Sequence, residues 1–212
     1  MHRAAPCRNV PVTFTLDSML SAVQRENLLR RADSVASSVQ KALTYLHVLK
    51  GIEEGSAWAP ENSLAYPFAL DAIRLAASDA LYAAVGTVVD SRRDVESFHT
   101  LATMARHYFS DPVVRRELDT ILNQNTWKSG ALLMRVEAWR NKYTAHRTLE
   151  VARPEFYVSN KLELSDLEAI VTDLDKTLSR MTELLLGFTY QLRRRPEIVQ
   201  SNCASLVAGY AV

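Results

Sequence analysis

Little in this chain breaks a helix. Of its 212 residues only six are glycine and seven proline, which argues against a fold of many tight turns and for long helices. Cysteine is scarcer: Cys7 and Cys203 lie near opposite ends of the chain, neither with a metal-ligating neighbour at useful spacing. That argues against a disulfide scaffold and fits a reducing compartment. No apolar run reaches the length of about 18 residues that a membrane span needs, and the N-terminus has no apolar core like a secretory leader's. The expectation is a cytoplasmic protein that does not enter a membrane. One-signed charge is also missing. The net charge is +1, so affinity for nucleic acid would have to come from a local patch rather than a global field.

Several chemistries lack their motifs. There is no Gly-rich phosphate loop, no His-Glu-x-x-His, no Cys-x-x-Cys and no Gly-x-Ser-x-Gly elbow. A Ser-His-Asp triad is not excluded by sequence, but nothing supports one. Glu96-x-x-His99 has the spacing of half a di-iron carboxylate site, yet no second copy exists. His99 and His107, eight residues apart, read as ordinary helix-face histidines. Neither a metal nor a cofactor is expected.

What is present is apolar periodicity. Hydrophobic residues make up 48% and charged residues 23%, a globular composition with enough chain for one sizeable core. Residues 1–16 read as an N-terminal arm, 17–196 as a helical domain and 197–212 as a tail. Helices are predicted near 18–50, 66–90, 95–108, 112–146 and 165–192. In the first, capped by Asp17, the residues Leu28, Ala32, Val35, Val39, Ala42, Leu46 and Leu49 recur at steps of four and three. This is a bundle-core seam in preference to a dimeric coiled coil. Gly51, Gly55 and Pro60 are expected to end that helix.

The second helix, rich in Ala and Val, is expected to be the most buried, with Asp79 and Asp90 as its acids most apt to sit somewhere unusual. Ser91 or Asp94 is expected to cap the third. Asp111-Pro112 starts the fourth, with a bend or short interruption favoured over residues 123–130. A loop follows, with 156–158 extended. Ser165-x-x-Glu168 is expected to box the start of the last helix. Its seam runs through Leu167, Val171, Leu174, Leu178, Met181, Leu185, Phe188 and Leu192. Arg193-Arg-Arg195 and Pro196 are expected to end it. The architecture implied is all-α: a bundle of four to five main helices, long and antiparallel.

The stretch 131–147 stands apart. Leu132, Val136, Trp139, Tyr143 and His146 continue one helical face. On an ideal helix Arg140 lies about 120° from His146, close enough for a long side chain to lean across. From Ala138 to Leu149 there is no acidic residue, while Arg140, Lys142 and Arg147 are cationic. On packing grounds alone His146 is a core or interface histidine. A titratable imidazole beside an always-charged guanidinium also suits phosphate chemistry.

Arg140-Asn141, four more residues and His146 resemble the Arg-x(4–6)-His motif of HEPN domains. The wording Arg-Asn-Lys-Tyr-Thr-Ala-His is most similar to the AbiU2-like branch. The resemblance implies a HEPN-like helical bundle acting as a metal-independent endoribonuclease, often a toxin or phage-defence effector, and commonly a homodimer. It implies that His146 moves a proton as base or acid, that Arg140 stabilises charge on the phosphate, and that Asn141 orients His146 or the phosphate. Lys142 and Arg147 would attract the RNA backbone. Leu149 stands where some of these toxins carry a tyrosine that the antitoxin modifies, which puts that form of control in doubt. Any antitoxin would be a separate protein. The alternative within the same resemblance is a non-catalytic module that binds RNA or protein.

Overall fold

A computed structural model describes residues 20–60, 67–124, 131–144, 154–190, 192 and 196–209. Among them every regular element is a helix, as the periodicity requires. In chain order these are α1 (Ala22–Trp58), α2 (Pro67–Val89), α3 (Phe98–Tyr108), α4 (Pro112–Asn123), α5 (Ala131–Ala138), α6 (Pro154–Ser159), α7 (Leu164–Leu186) and α8 (Pro196–Val207). A π-helical turn, Trp139–Thr144, continues α5.

The long helix α1 is the spine, and α2, α7 and α8 pack along it. Its predicted seam is buried throughout, from Leu28 to Leu49. The apolar seam of α7 meets it: Leu167, Val171, Leu174, Leu178, Met181 and Leu185 are all buried. Each such leucine removed from water contributes about 1.5–3 kcal/mol, so these two seams carry much of the fold. The helix α7 ends before Phe188 because Gly187 turns left-handed at φ 73°, a conformation open to glycine without a Cβ clash. Tyr190 then donates its hydroxyl to Asp33 on α1. Burial, with this carboxylate beside it, pushes the Tyr190 hydroxyl's pKa well up.

Several expectations need correction. Gly51 and Gly55 do not end α1, which runs on to Trp58. They face α8 instead. A Cβ on Gly51 would lie 2.5 Å from the Gln200 carbonyl oxygen and 2.6 Å from Cys203 Cβ. One on Gly55 would strike the Ala204 carbonyl oxygen. The missing side chains thus let two backbones approach closely. For the same reason 196–207 is not a loose tail but a helix laid on α1, with Ala204 fully buried.

The caps also differ. Ser21 with Gln24 boxes α1, while Asp17 lies outside the described residues. Ser97 with Thr100, rather than Ser91 or Asp94, boxes α3. Asp111 caps α4 as expected, accepting from Val113 N–H at 2.7 Å. At α7 the Glu163 N–H donates to Asp166 at 3.0 Å, so that helix starts before Ser165. Phe156-Tyr-Val158 is helical, within α6.

The second helix is not the most buried. Its C-terminal half is core, with Leu81, Val85 and Val88 at 0% exposure, but Phe68 is 89% exposed and Ile73 49%. This is also the one helix among the described residues long and apolar enough, by length and composition, to cross a membrane.

Candidate functional site

The C-terminal end of α2 and the π turn after α5 pack together, and Trp139 anchors that contact. Its ring stacks on Tyr82 of α2, with centroids 5.9 Å apart and planes 17° apart. Phe156 of α6 meets it edge-on at 5.1 Å. The indole N–H donates to Asn160 O at 2.7 Å. Burial, and then the Asp79 carboxylate, push the Tyr82 hydroxyl up to about 12, so Tyr82 acts here as a neutral ring. Val136, one turn earlier, is fully buried. The packing face expected for Leu132, Val136 and Trp139 is therefore present. The side chain of Tyr143 lies outside the described residues.

With Trp139 fixed, the next residue points at α2. Arg140 lies across Gly86, whose absent side chain makes the room. A Cβ there would collide with Arg140 Cδ and sit 3.0 Å from Nε. The guanidinium ends on Asp90, just past the last residue of α2. Nη1 and Nη2 each donate to Asp90 Oδ2 at 3.2 Å, and Nη1 also donates to Gly86 O at 3.3 Å. About a quarter of the Arg140 side chain is exposed, 26%, against 8% of Asp90.

Arg92 closes the same carboxylate from the solvent side. Its backbone N–H donates to Asp90 Oδ1 at 2.9 Å and its Nη2 to Oδ2 at 2.9 Å. Burial on its own would raise the Asp90 pKa. The Arg92 side chain, the Arg92 N–H and Arg140 together outweigh it and hold the carboxyl at about 2. The group is a fixed anion with a guanidinium on each side.

Of the residues singled out in the motif, the structure places Arg140 in this ion pair and Asn141 on the exposed surface of the π turn. Lys142 lies on the same turn, where only its backbone is described. His146 and Arg147 lie outside the described residues. The π winding carries more residues per turn than an α-helix, so the ideal-helix angle between Arg140 and His146 does not apply through Thr144. The sequence singles out Asp90 with Asp79 as an acid apt to be unusual while favouring an ordinary helix-end acid, and it does not reveal the Arg140 partner. Gly86 was missed; a lone glycine in a buried Ala/Val helix face is the signal that could have found it.

Glu96 pairs with Arg31 at 3.2 Å. Among the described residues no three His, Cys, Asp or Glu side chains gather as a metal would require. No family model, curated protein or solved structure matches this chain.

Proposed function

We propose that this chain is a HEPN-type, metal-independent endoribonuclease, working in the cytoplasm as a toxin or phage-defence effector. The observation that carries the reading is the setting of Arg140. It opens the Arg140-Asn141-x4-His146 motif, in a stretch without acids. Its guanidinium is held by Asp90 and Gly86 O, and about a quarter of the side chain, 26%, stays open to solvent. A pre-positioned, always-charged donor fork suits an oxyanion better than a free one, because less order remains to be imposed during reaction.

In this reading an RNA 2′-hydroxyl attacks the adjacent phosphorus. The O2′–P bond forms, the P–O5′ bond breaks, and a 2′,3′-cyclic phosphate and a 5′-hydroxyl result. His146 takes the proton from O2′ or delivers one to O5′, roles for which an imidazole pKa near 6.5 is suited. Arg140 stabilises the charge that builds on the non-bridging oxygens. Asn141, exposed beside it, orients the phosphate or His146, and Lys142 and Arg147 draw in the backbone. One Arg–His pair grips little RNA, so the working form is a two-fold homodimer with this segment at its interface. Met134, 71% exposed on α5, offers apolar surface there. An antitoxin would be a separate chain. The test is end analysis of RNA treated with purified protein in EDTA. Cyclic phosphate and 5′-hydroxyl ends support the reading, and intact RNA removes it.

A second reading has one observation in its favour. The Arg140 charge is already matched by Asp90, as expected of a residue that only packs α5 on α2. The chain would then be a non-catalytic helical module that binds RNA or protein.

A further inference from the structure

A groove of about 520 Å³ opens between the N-terminal half of α1 and one face of α3. Along α3 the residues His99, Thr103 and His107 follow at steps of four and share one ridge. Met104 and Tyr108 lie on the ridge beside it. Arg31 enters from α1 and Arg93 from the segment before α3. The lining thus combines guanidinium and imidazole groups with an apolar and an aromatic side chain, and includes no carboxylate.

The groove is built rather than incidental. Arg31 is 22% exposed and its Nε is held by Glu96 at 3.2 Å. The Tyr108 hydroxyl accepts from Asn27 Nδ2 at 3.5 Å, tying α3 to α1 beneath the opening. The volume falls in the range of small-molecule sites, about 300–1,000 Å³. Beside the groove Arg106 is paired with Asp119 at 2.5 Å, while Arg115 donates to the Arg106 carbonyl.

We propose that this groove binds a small phosphomonoester carrying a ring. The phosphate sits between Arg93 and the imidazoles, with Arg31, already paired with Glu96 through Nε, offering its remaining N–H groups. The ring lies on Met104 and Tyr108. None of these residues belongs to the Arg140 motif, so the proposal stands or falls apart from the ribonuclease reading.

Isothermal titration tests it, with adenosine 5′-monophosphate, adenosine and inorganic phosphate as probes of the full chain. The monophosphate binds saturably, one per chain, inorganic phosphate binds more weakly and adenosine most weakly. Arg93→Ala and His107→Ala, both at exposed positions, each weaken the monophosphate by about tenfold or more. A melting curve on each variant keeps a folding defect from passing as lost binding. Adenosine binding as tightly as its monophosphate overturns the proposal. So does monophosphate binding that both variants leave unchanged, or no saturable binding at millimolar ligand. RNA lacking terminal phosphate, bound through the same two residues and not displaced by the monophosphate, also overturns it.

Discussion

Arg140 and Asp90 stand 50 residues apart in sequence and 3.2 Å apart in space. The guanidinium reaches its partner by crossing α2 at Gly86, where any side chain would obstruct it. This contact fixes the first residue of the motif on the bundle, and its energetics can be measured without knowing the substrate.

The Asp90 carboxyl is held at about 2, below its ordinary 3.8. A depressed acid pKa stabilises the folded state above the unfolded value, and that contribution fades as pH falls toward the folded one. The contribution is therefore present above about pH 4 and lost between about pH 4 and 2. Asp90→Asn should lower stability at neutral pH by about 1–3 kcal/mol and flatten the acid limb over that window. Urea melts of both proteins at several pH values measure this.

Gly86→Ala separates stability from positioning. Alanine in a helix interior gains about 0.5–1 kcal/mol over glycine, while its Cβ pushes Arg140 off Asp90. The expected variant melts near wild type and flattens the acid limb only in part, because the Arg92 side chain and N–H still hold Asp90. If nuclease activity is present in wild type, it should fall sharply. A variant that keeps the wild-type acid limb would show that Arg140 accommodates the methyl group without leaving its partner.

Gly55→Ala behaves in the opposite way. Its Cβ meets backbone, the Ala204 carbonyl oxygen and Cα, with Val207 Cβ at 2.8 Å. Backbone cannot swing aside as an arginine stem can, so α8 must move. A loss of about 1–3 kcal/mol is expected, with α8 the first segment cut in limited proteolysis. Wild-type stability and protease resistance would contradict the close helix contact.

The homodimer is tested by light scattering at micromolar concentration. A dimer is expected, and Met134→Glu, which places a charge on exposed apolar surface beside the motif, should shift it toward monomer. A monomer at all concentrations removes the two-fold pairing of the motifs.

How much of this was legible in the sequence depends on the kind of signal. Seams at steps of four and three reveal α1 and α7, because burial repeats with the helix and each repeat adds evidence. Asp111-Pro112 reveals α4, since a capping acid and an N1 proline act locally. Gly51 and Gly55 misled because glycine at a helix end and glycine under a crossing helix are the same letter; only the partner, α8, distinguishes them. The exposed N-terminal half of α2 misled for a related reason. Apolar content does not say whether a neighbour covers it. At the site, the cationic segment and Asp90 could each be noticed alone, but the ion pair depends on the π turn and on Gly86, and neither has a periodic signature.

The most direct test of the central claim is RNA cleavage in EDTA by wild type, His146→Ala, Arg140→Ala and Arg140→Lys, with a melting curve on each. The account predicts cleavage by wild type and a loss of about 10²–10⁴ in rate for His146→Ala at a nearly unchanged melting temperature. Arg140→Ala should be equally impaired, and Arg140→Lys poorly rescued, because lysine keeps the charge without the planar fork. An alanine variant of His146 that cleaves as fast as wild type, or a wild type that cleaves no RNA, contradicts the ribonuclease account.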